Sequence, residues 1–161
     1  MSDTVVFDQL EKAKLIVNKI APGHRADLSC MLMASAIAGQ LGLTMRNIRI
    51  GALYWPEKFK DDPHLSMRGG WGCEGYSDGR LWLADLTVDE EGGFSGHTWL
   101  EPETDTVIDL MHDNEHSARE IYNSDFKLVA HYIPRRGLER AVKNFWRREM
   151  LTAIKQGAQH E

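Results

Sequence analysis

Apolar residues in the first forty positions repeat at helical intervals. Residues 4–20 carry apolar side chains three or four positions apart, which predicts an amphipathic helix capped by Ser2 or Asp3. Residues 29–41 are apolar almost all round, which predicts a second helix buried at the centre of the fold. The side chains predicted to face the core in the first helix are Val6, Leu10, Ala13, Val17 and Ile20.

The pattern then changes to one typical of β-strands. Apolar residues alternate within 45–54, and residues 80–86 and 126–133 predict two further strands. Residues 55–79 are rich in Pro, Gly, Lys and Asp and have no period, which predicts a long loop of a functional or mobile kind. An acidic turn is predicted at residues 89–93.

Residues 95–110 predict a β-hairpin with His97 on one arm and Asp109 on the other. If the loop has an odd number of residues, such as 102–104, His97 lies directly across from Asp109 and the two side chains share a face. An even loop would place Thr98 there instead. A carboxylate that faces an imidazole keeps the imidazole in one tautomer and stabilises the cationic form of the ring, which suits a catalytic base.

The last part of the chain predicts a loop or short helix at 111–123 and an amphipathic helix at 137–155. Helices first, then several antiparallel strands, then a helix indicate the α+β class, with helices packed on an antiparallel sheet. The side chains predicted to face inward in the last helix are Leu138, Val142, Phe145, Trp146 and Ile154.

The length of 161 residues, 42% of them hydrophobic, fits one domain. We expect residues 1–26 to form an N-terminal helix, 27–133 the core, and 134–161 a basic C-terminal helix. No apolar run approaches the roughly 18–20 residues of a membrane-spanning helix, and the start lacks the features of a signal peptide. A cytoplasmic protein without membrane contact is expected, with Cys30 and Cys73 as reduced thiols.

The net charge of −5 is unevenly distributed. Residues 85–125 hold twelve Asp and Glu against one basic residue, Arg119, whereas residues 135–155 hold seven Lys and Arg against Glu139 and Glu149. These segments fit two solvated faces that attract each other, or an acidic cleft rim that favours cationic substrates. The acidic balance does not favour nucleic acid as the main partner, although the basic helix alone could touch phosphate.

Cys30 is a candidate nucleophile because of its place in the second predicted helix. With Asp27 or Ser29 as the cap, Cys30 falls in the first turn, where unpaired N–H groups and the helix dipole favour a negative charge. A thiol in that position is predisposed to ionise. The alternative is an inert, small apolar residue of a buried helix.

Residues 27–112 resemble a known family. Cys30, with the Ala, Leu and Gly residues that follow it up to Gly51, together with His97-Thr98-Trp99-Leu100-Glu101 and Asp109, resembles the transglutaminase-like branch of the papain-like cysteine hydrolases, including the peptidases that process lasso-peptide precursors. The most specific part is His-x-Trp-x-Glu followed by a strand-borne Asp.

The resemblance implies a papain-like or transglutaminase-like core and a Cys-His-Asp triad. Cys30 would be the nucleophile, His97 the base and Asp109 the orienter of a peptidase, amidase or transglutaminase-type enzyme. Its substrate would be a peptide or protein acyl group, and it needs no cofactor or metal. Candidate substrate-binding residues are Trp71, Trp99 and Glu101, with Trp99 also expected to pack behind His97.

Other interpretations stay open. The segment 68–74, Arg-Gly-Gly-Trp-Gly-Cys-Glu, is similar to an element of arylamine N-acetyltransferases and makes Cys73 an alternative nucleophile. His112 and His116 could share a helix face as metal ligands, although surface polar residues are the favoured interpretation. A catalytically inactive binding module on the same fold is a further alternative.

Overall fold

The structure, a computed structural model, contains helices together with a small antiparallel sheet, as expected of an α+β protein. Two predicted features, most of the loop at 55–79 and the segment 111–123, lie outside the residues that it describes. The described residues are 3–21, 26–54, 75–77, 80–82, 88–94, 96–103, 107–109 and 131–159.

Helices begin and end the described part of the chain, and strands lie between them. None of the described helices combines the length and the apolarity that crossing a membrane requires. The elements are α1 (Asp3–Ile20), α2 (Ala26–Gln40), a 3-10 turn (Met45–Asn47), β1 (Ile48–Tyr54), β2 (Gly75–Ser77), β3 (Arg80–Trp82), β4 (His97–Leu100), β5 (His131–Pro134), α3 (Arg136–Phe145) and α4 (Arg147–Gln159).

The main sheet has the order β4-β1-β5, and both of its pairs are antiparallel. Gly51 pairs with His97 on one side and with Pro134 on the other. Strands β2 and β3 form a separate antiparallel pair, so the prediction of a structureless loop up to residue 79 is wrong at 75–77. The α+β class with an antiparallel sheet is confirmed.

The core is centred on α2, as its apolar sequence predicts. Met31 to Ala38 are buried, and the apolar face of α1 packs on them through side chains such as Ala13 and Val17. The tightest contact joins α2 to α4 through glycines. A Cβ on Gly157 would overlap the carbonyl oxygen of Ala36, and one on Gly39 would overlap the backbone of α4. The two helix backbones are therefore in direct contact.

The predicted single helix at 137–155 is two helices separated by Trp146. Trp146 has φ −102° and ψ 15°, outside helical geometry, and its indole N–H donates to the Gly92 carbonyl at 2.8 Å. Gly92 has φ +84° in the predicted acidic turn and lies against the Phe145 and Trp146 rings. The break leaves Phe145 48% exposed, so its predicted inward orientation is wrong.

On the side of β1 that faces β5, the start of α3 completes the hydrogen bonding of the strand. Beyond the Gly51–Pro134 pair, the Arg135 N–H donates to the Ile50 carbonyl at 3.0 Å. The Ile50 N–H donates to Glu139 Oε1, also at 3.0 Å. A carboxylate oxygen thus replaces the carbonyl that a longer β5 would supply to this strand.

Candidate functional site

His97 and Asp109 form a buried pair at the centre of the candidate site. His97 Nε2 lies 2.6 Å from Asp109 Oδ2, and the two side chains are 1% and 0% exposed. This confirms the contact predicted between the two residues. A buried carboxylate that accepts the Nε2–H hydrogen bond fixes the orientation of the ring and favours one tautomer.

The pairing of the strands differs from the predicted register by two residues. Leu100 and Ile108 exchange both backbone hydrogen bonds at 2.9 Å, and this register places Asp109 across from Trp99. The prediction that Asp109 lies directly across from His97 is therefore wrong. His97 and Trp99 are two residues apart in the strand, so their side chains lie on the same face. Asp109, across from Trp99, therefore still shares a face with His97 and is its diagonal neighbour.

Trp99 packs beside His97, as predicted. The two ring centroids are 6.2 Å apart with 19° between the planes, and the indole N–H donates to Glu101 Oε1 at 2.9 Å. Trp99 is 1% exposed, which does not favour its predicted contact with a substrate. Glu101 is held in turn by Asn47, whose backbone carbonyl and side-chain amide bond the Glu101 backbone at 2.8 and 3.0 Å.

A polar chain not predicted from the sequence leads from Trp99 to α3. Arg49 lies across from Trp99 in the β1–β4 register, and its guanidinium is 3.8 Å from Glu101 Oε2. Arg49 Nε donates to Glu139 Oε1 at 2.9 Å. In the sequence, the contact between Arg49 and Glu139 is indicated only by an arginine among the alternating apolar residues of the strand. That pattern does not identify Glu139 as the partner.

Cys30 lies deeper in α2 than predicted. The helix begins at Ala26, so Cys30 is in the second turn, and its predicted place in the first turn is wrong. The effect of the helix dipole is concentrated in the first turn, so the dipole alone supports a thiolate at Cys30 only weakly. The side chain is half-buried, and α2 packs against β4. The contact between Cys30 and His97 stays a prediction.

Several candidate residues lie outside the described residues: Trp71, Cys73, His112 and His116. Their predicted roles stay predictions. Within the described ranges, no group of three or more His, Cys, Asp or Glu side chains could hold a metal ion.

A second polar region, named here the basic groove, lies where α3 passes β1. Its volume is about 440 Å³. Burial lowers the pKa of Lys143 below its usual 10.5, nearby Glu139 opposes this shift, and the positive charge of Arg49 adds to it. The groove is lined by Met45, Arg49, Arg136, Glu139, Arg140, Lys143, Asn144 and Arg147.

The lowered pKa of Lys143 predicts a pH-dependent stability. Between that pKa and 10.5 the unfolded chain binds more protons than the folded one, so this residue's contribution to stability increases as pH rises. We expect the wild type to gain stability relative to Lys143→Met as pH rises toward 10.5. Denaturant titrations of both proteins from neutral pH upward measure this difference, and a constant difference would contradict the prediction.

Comparison with known proteins adds no relative: no protein-family model, curated protein or solved structure matches this chain. The function is therefore inferred from the residues and the geometry of the site.

Proposed function

We propose that the protein is a cysteine-dependent acyl-transfer enzyme with Cys30 as nucleophile, His97 as base and Asp109 as orienter. The observation that carries the proposal is the buried 2.6 Å contact between His97 and Asp109. A fully buried pair of an imidazole and a carboxylate suits a catalytic base better than a solvated surface pair does.

The fold around this pair supports a transglutaminase-like or papain-like core as part of the proposal. The helix that carries Cys30 is the buried centre of the domain and packs against the strand that carries His97. Asp109 reaches His97 from the next segment of chain, which pairs with β4 at Leu100. The chain order Cys, His, Asp and the His-x-Trp-x-Glu element match the resemblance.

The ring orientation supports Nδ1 as the proton-transfer atom in this proposal. Asp109 engages Nε2, so Nδ1 is the nitrogen that would take the thiol proton of Cys30. The thiolate attacks the acyl carbon, a C–S bond forms, and the imidazolium protonates the leaving amine as the C–N bond breaks. Water or a second amine then attacks the thioester and gives its proton to Nδ1, and the C–S bond breaks to release Cys30 as the thiolate beside the imidazolium. The acyl donor is proposed to be a peptide or protein.

The proposal places a geometric requirement on Cys30. Side chains alternate along β4, so His97 and Trp99 face one way, whereas Thr98 and Leu100 face the other. Leu100 joins the core cluster that includes α2. The thiol must therefore reach the face of the sheet that carries His97. A His97→Cys variant in a Cys73→Ser background tests this, because a short bis-maleimide, which adds to one thiol at each end, should bridge positions 30 and 97 within one chain; single addition at each cysteine without a bridge would contradict the requirement.

Thiol reactivity tests the pairing directly. At pH 6 an ordinary thiol is almost fully protonated, because its free pKa is about 8.5, and only the thiolate reacts with iodoacetamide. We expect Cys30 to be alkylated much faster than Cys73. His97→Ala should slow Cys30 alkylation by about tenfold or more, the effect of losing roughly 1.4 kcal/mol of thiolate stabilisation. Asp109→Asn should slow it less, because the imidazole remains.

Two controls accompany the alkylation measurement. His97→Gln keeps an N–H donor for the buried Asp109 and guards against a variant that fails to fold, as checked by circular dichroism. Cys73→Ser isolates the Cys30 rate by mass spectrometry. Equal alkylation rates for the two cysteines, or a Cys30 rate unchanged in folded His97→Gln, would overturn the proposal.

A further inference from the structure

The basic groove has a feature that the proposed function does not use: most of the residues that line it are cations. Arg136, Arg140, Lys143 and Arg147 follow each other at intervals of four, three and four residues and line the same groove. In α3 these intervals make Arg136, Arg140 and Lys143 neighbours on one helix surface, about 5–6 Å apart, and Arg147 lines the groove from the start of α4, beyond the break at Trp146. Arg49 of β1 contributes a fifth cation to the lining.

Positive charge in the groove exceeds the negative charge available to balance it. Among the described residues that line it, Glu139 is the one carboxylate. Both of its oxygens are engaged: Oε1 accepts from Arg49 Nε at 2.9 Å and from the Ile50 N–H at 3.0 Å, and Oε2 lies 3.5 Å from Lys143 Nζ. This carboxylate charge is thus shared between two of the five cations, and one of them, Arg49, also lies 3.8 Å from Glu101 Oε2, which does not line the groove.

The chemistry of the side chains indicates the kind of ligand. Four of the five cations are arginines, whose planar guanidinium groups form paired hydrogen bonds to phosphate and carboxylate oxygens. Like charges in one groove repel each other. Burial is the main cause of the lowered pKa of Lys143; Glu139 opposes the shift, and the charge of Arg49 adds a smaller lowering. A multiply charged anion would relieve this repulsion at several cations at once.

We propose that the basic groove binds a soluble small ligand that carries clustered phosphate groups, such as an oligophosphate. The volume of about 440 Å³ lies in the range of small-molecule sites. The chain as a whole has a net charge of −5, so anion binding here is a property of this groove and not of the overall charge. Linked phosphates concentrate several charges within the reach of neighbouring arginines.

Titration calorimetry with sodium tripolyphosphate tests the proposal on the full chain. At about 50 mM NaCl, where surface charges are weakly screened, we expect saturable binding of one ligand per chain. Arg140→Gln and Arg147→Gln should each weaken binding by about tenfold, the usual size for loss of a hydrogen bond between charged groups. Both side chains belong to exposed residues, so the fold should survive, as thermal unfolding would verify.

Arg148→Gln is the matched control. Arg148 adjoins Arg147 on α4, its side chain is 91% exposed, and it does not line the groove. Its substitution should leave the affinity for tripolyphosphate unchanged. An equal loss in the Arg148→Gln protein, or no saturable binding by the wild type at about 1 mM ligand, would overturn the proposal.

Two further ligands separate the proposed class from its competitors. Citrate carries clustered carboxylates, and a short single-stranded oligonucleotide carries phosphates spaced along a chain. Tighter binding of either than of tripolyphosphate would overturn the assignment to a small oligophosphate. The Cys30→Ala protein should bind tripolyphosphate as the wild type does, so this experiment and the alkylation experiment fail independently.

Discussion

Gly157→Ala should destabilise the protein although alanine favours helices. The new Cβ would overlap the Ala36 carbonyl oxygen, which is backbone and cannot rotate away, so α2 and α4 would have to separate. Overpacking of this kind costs about 1–3 kcal/mol. For a chain of 161 residues, that loss lowers the melting temperature by several degrees. Differential scanning calorimetry measures it.

Gly137→Ala is the matched control for this substitution. Gly137 is in α3, is exposed, and has no atom within 4 Å of the place that a Cβ would occupy. The same change should therefore stabilise the protein by about 0.4–1 kcal/mol, mainly by restricting the unfolded chain. We expect the changes in the free energy of unfolding to have opposite signs in the two variants. A Gly157→Ala protein as stable as the Gly137→Ala protein would show that the helix backbones are not in contact.

Glu139→Ala should have the second large effect, a loss of about 2–3 kcal/mol in the free energy of unfolding. The substitution removes the acceptor of the Ile50 N–H and the partner of Arg49 Nε, both partly buried. Hydrogen bonds to charged groups contribute about 1.5–3 kcal/mol, and an unpaired donor carries a further penalty. Glu139→Gln should lose less, because its amide oxygen can still accept from the backbone.

Glu149→Ala provides the control for Glu139→Ala. Both glutamates are in the first turn of a helix, so their interactions with the helix dipole are similar. The partner of Glu149 is the exposed Arg148, at 3.7 Å, and exposed pairs of this kind contribute little. Urea titrations of the two alanine variants should differ by about 2 kcal/mol. Equal losses in the free energy of unfolding would mean that the bond from the Ile50 N–H to Glu139 does not stabilise β1.

Local periodicity in the sequence predicted the helices well. The apolar spacing of residues 4–20 reproduces α1, Asp3–Ile20, and the run of apolar residues in 29–41 identifies the buried α2. Both signals depend only on neighbours within two turns of helix, which the sequence displays directly. The turn at 89–93 was readable for the same reason, since Asp89 Oδ1 accepts from the Glu91 and Gly93 N–H groups.

Features set by distant parts of the chain were not predictable in this way. At the helix break, the Trp146 indole donates to the carbonyl of Gly92, and nothing in the pattern around Trp146 shows that acceptor. The bond between Arg49 and Glu139 joins residues 90 positions apart. At the site, the hairpin pattern predicted the shared face of His97 and Asp109 but not the register, because a shift of two residues keeps every side chain on its face.

The close approach of α2 and α4 has a consequence for the order in which the protein folds during synthesis. Ala36 and Gly157 are about 120 residues apart, so α2, the most apolar of the described helices, leaves the ribosome roughly ten seconds before α4, at about 5–20 residues per second. In that interval α1 is the described helix already available to cover part of α2. Nascent chains halted before residue 147 should therefore recruit chaperones through α2, and release them once α4 has docked.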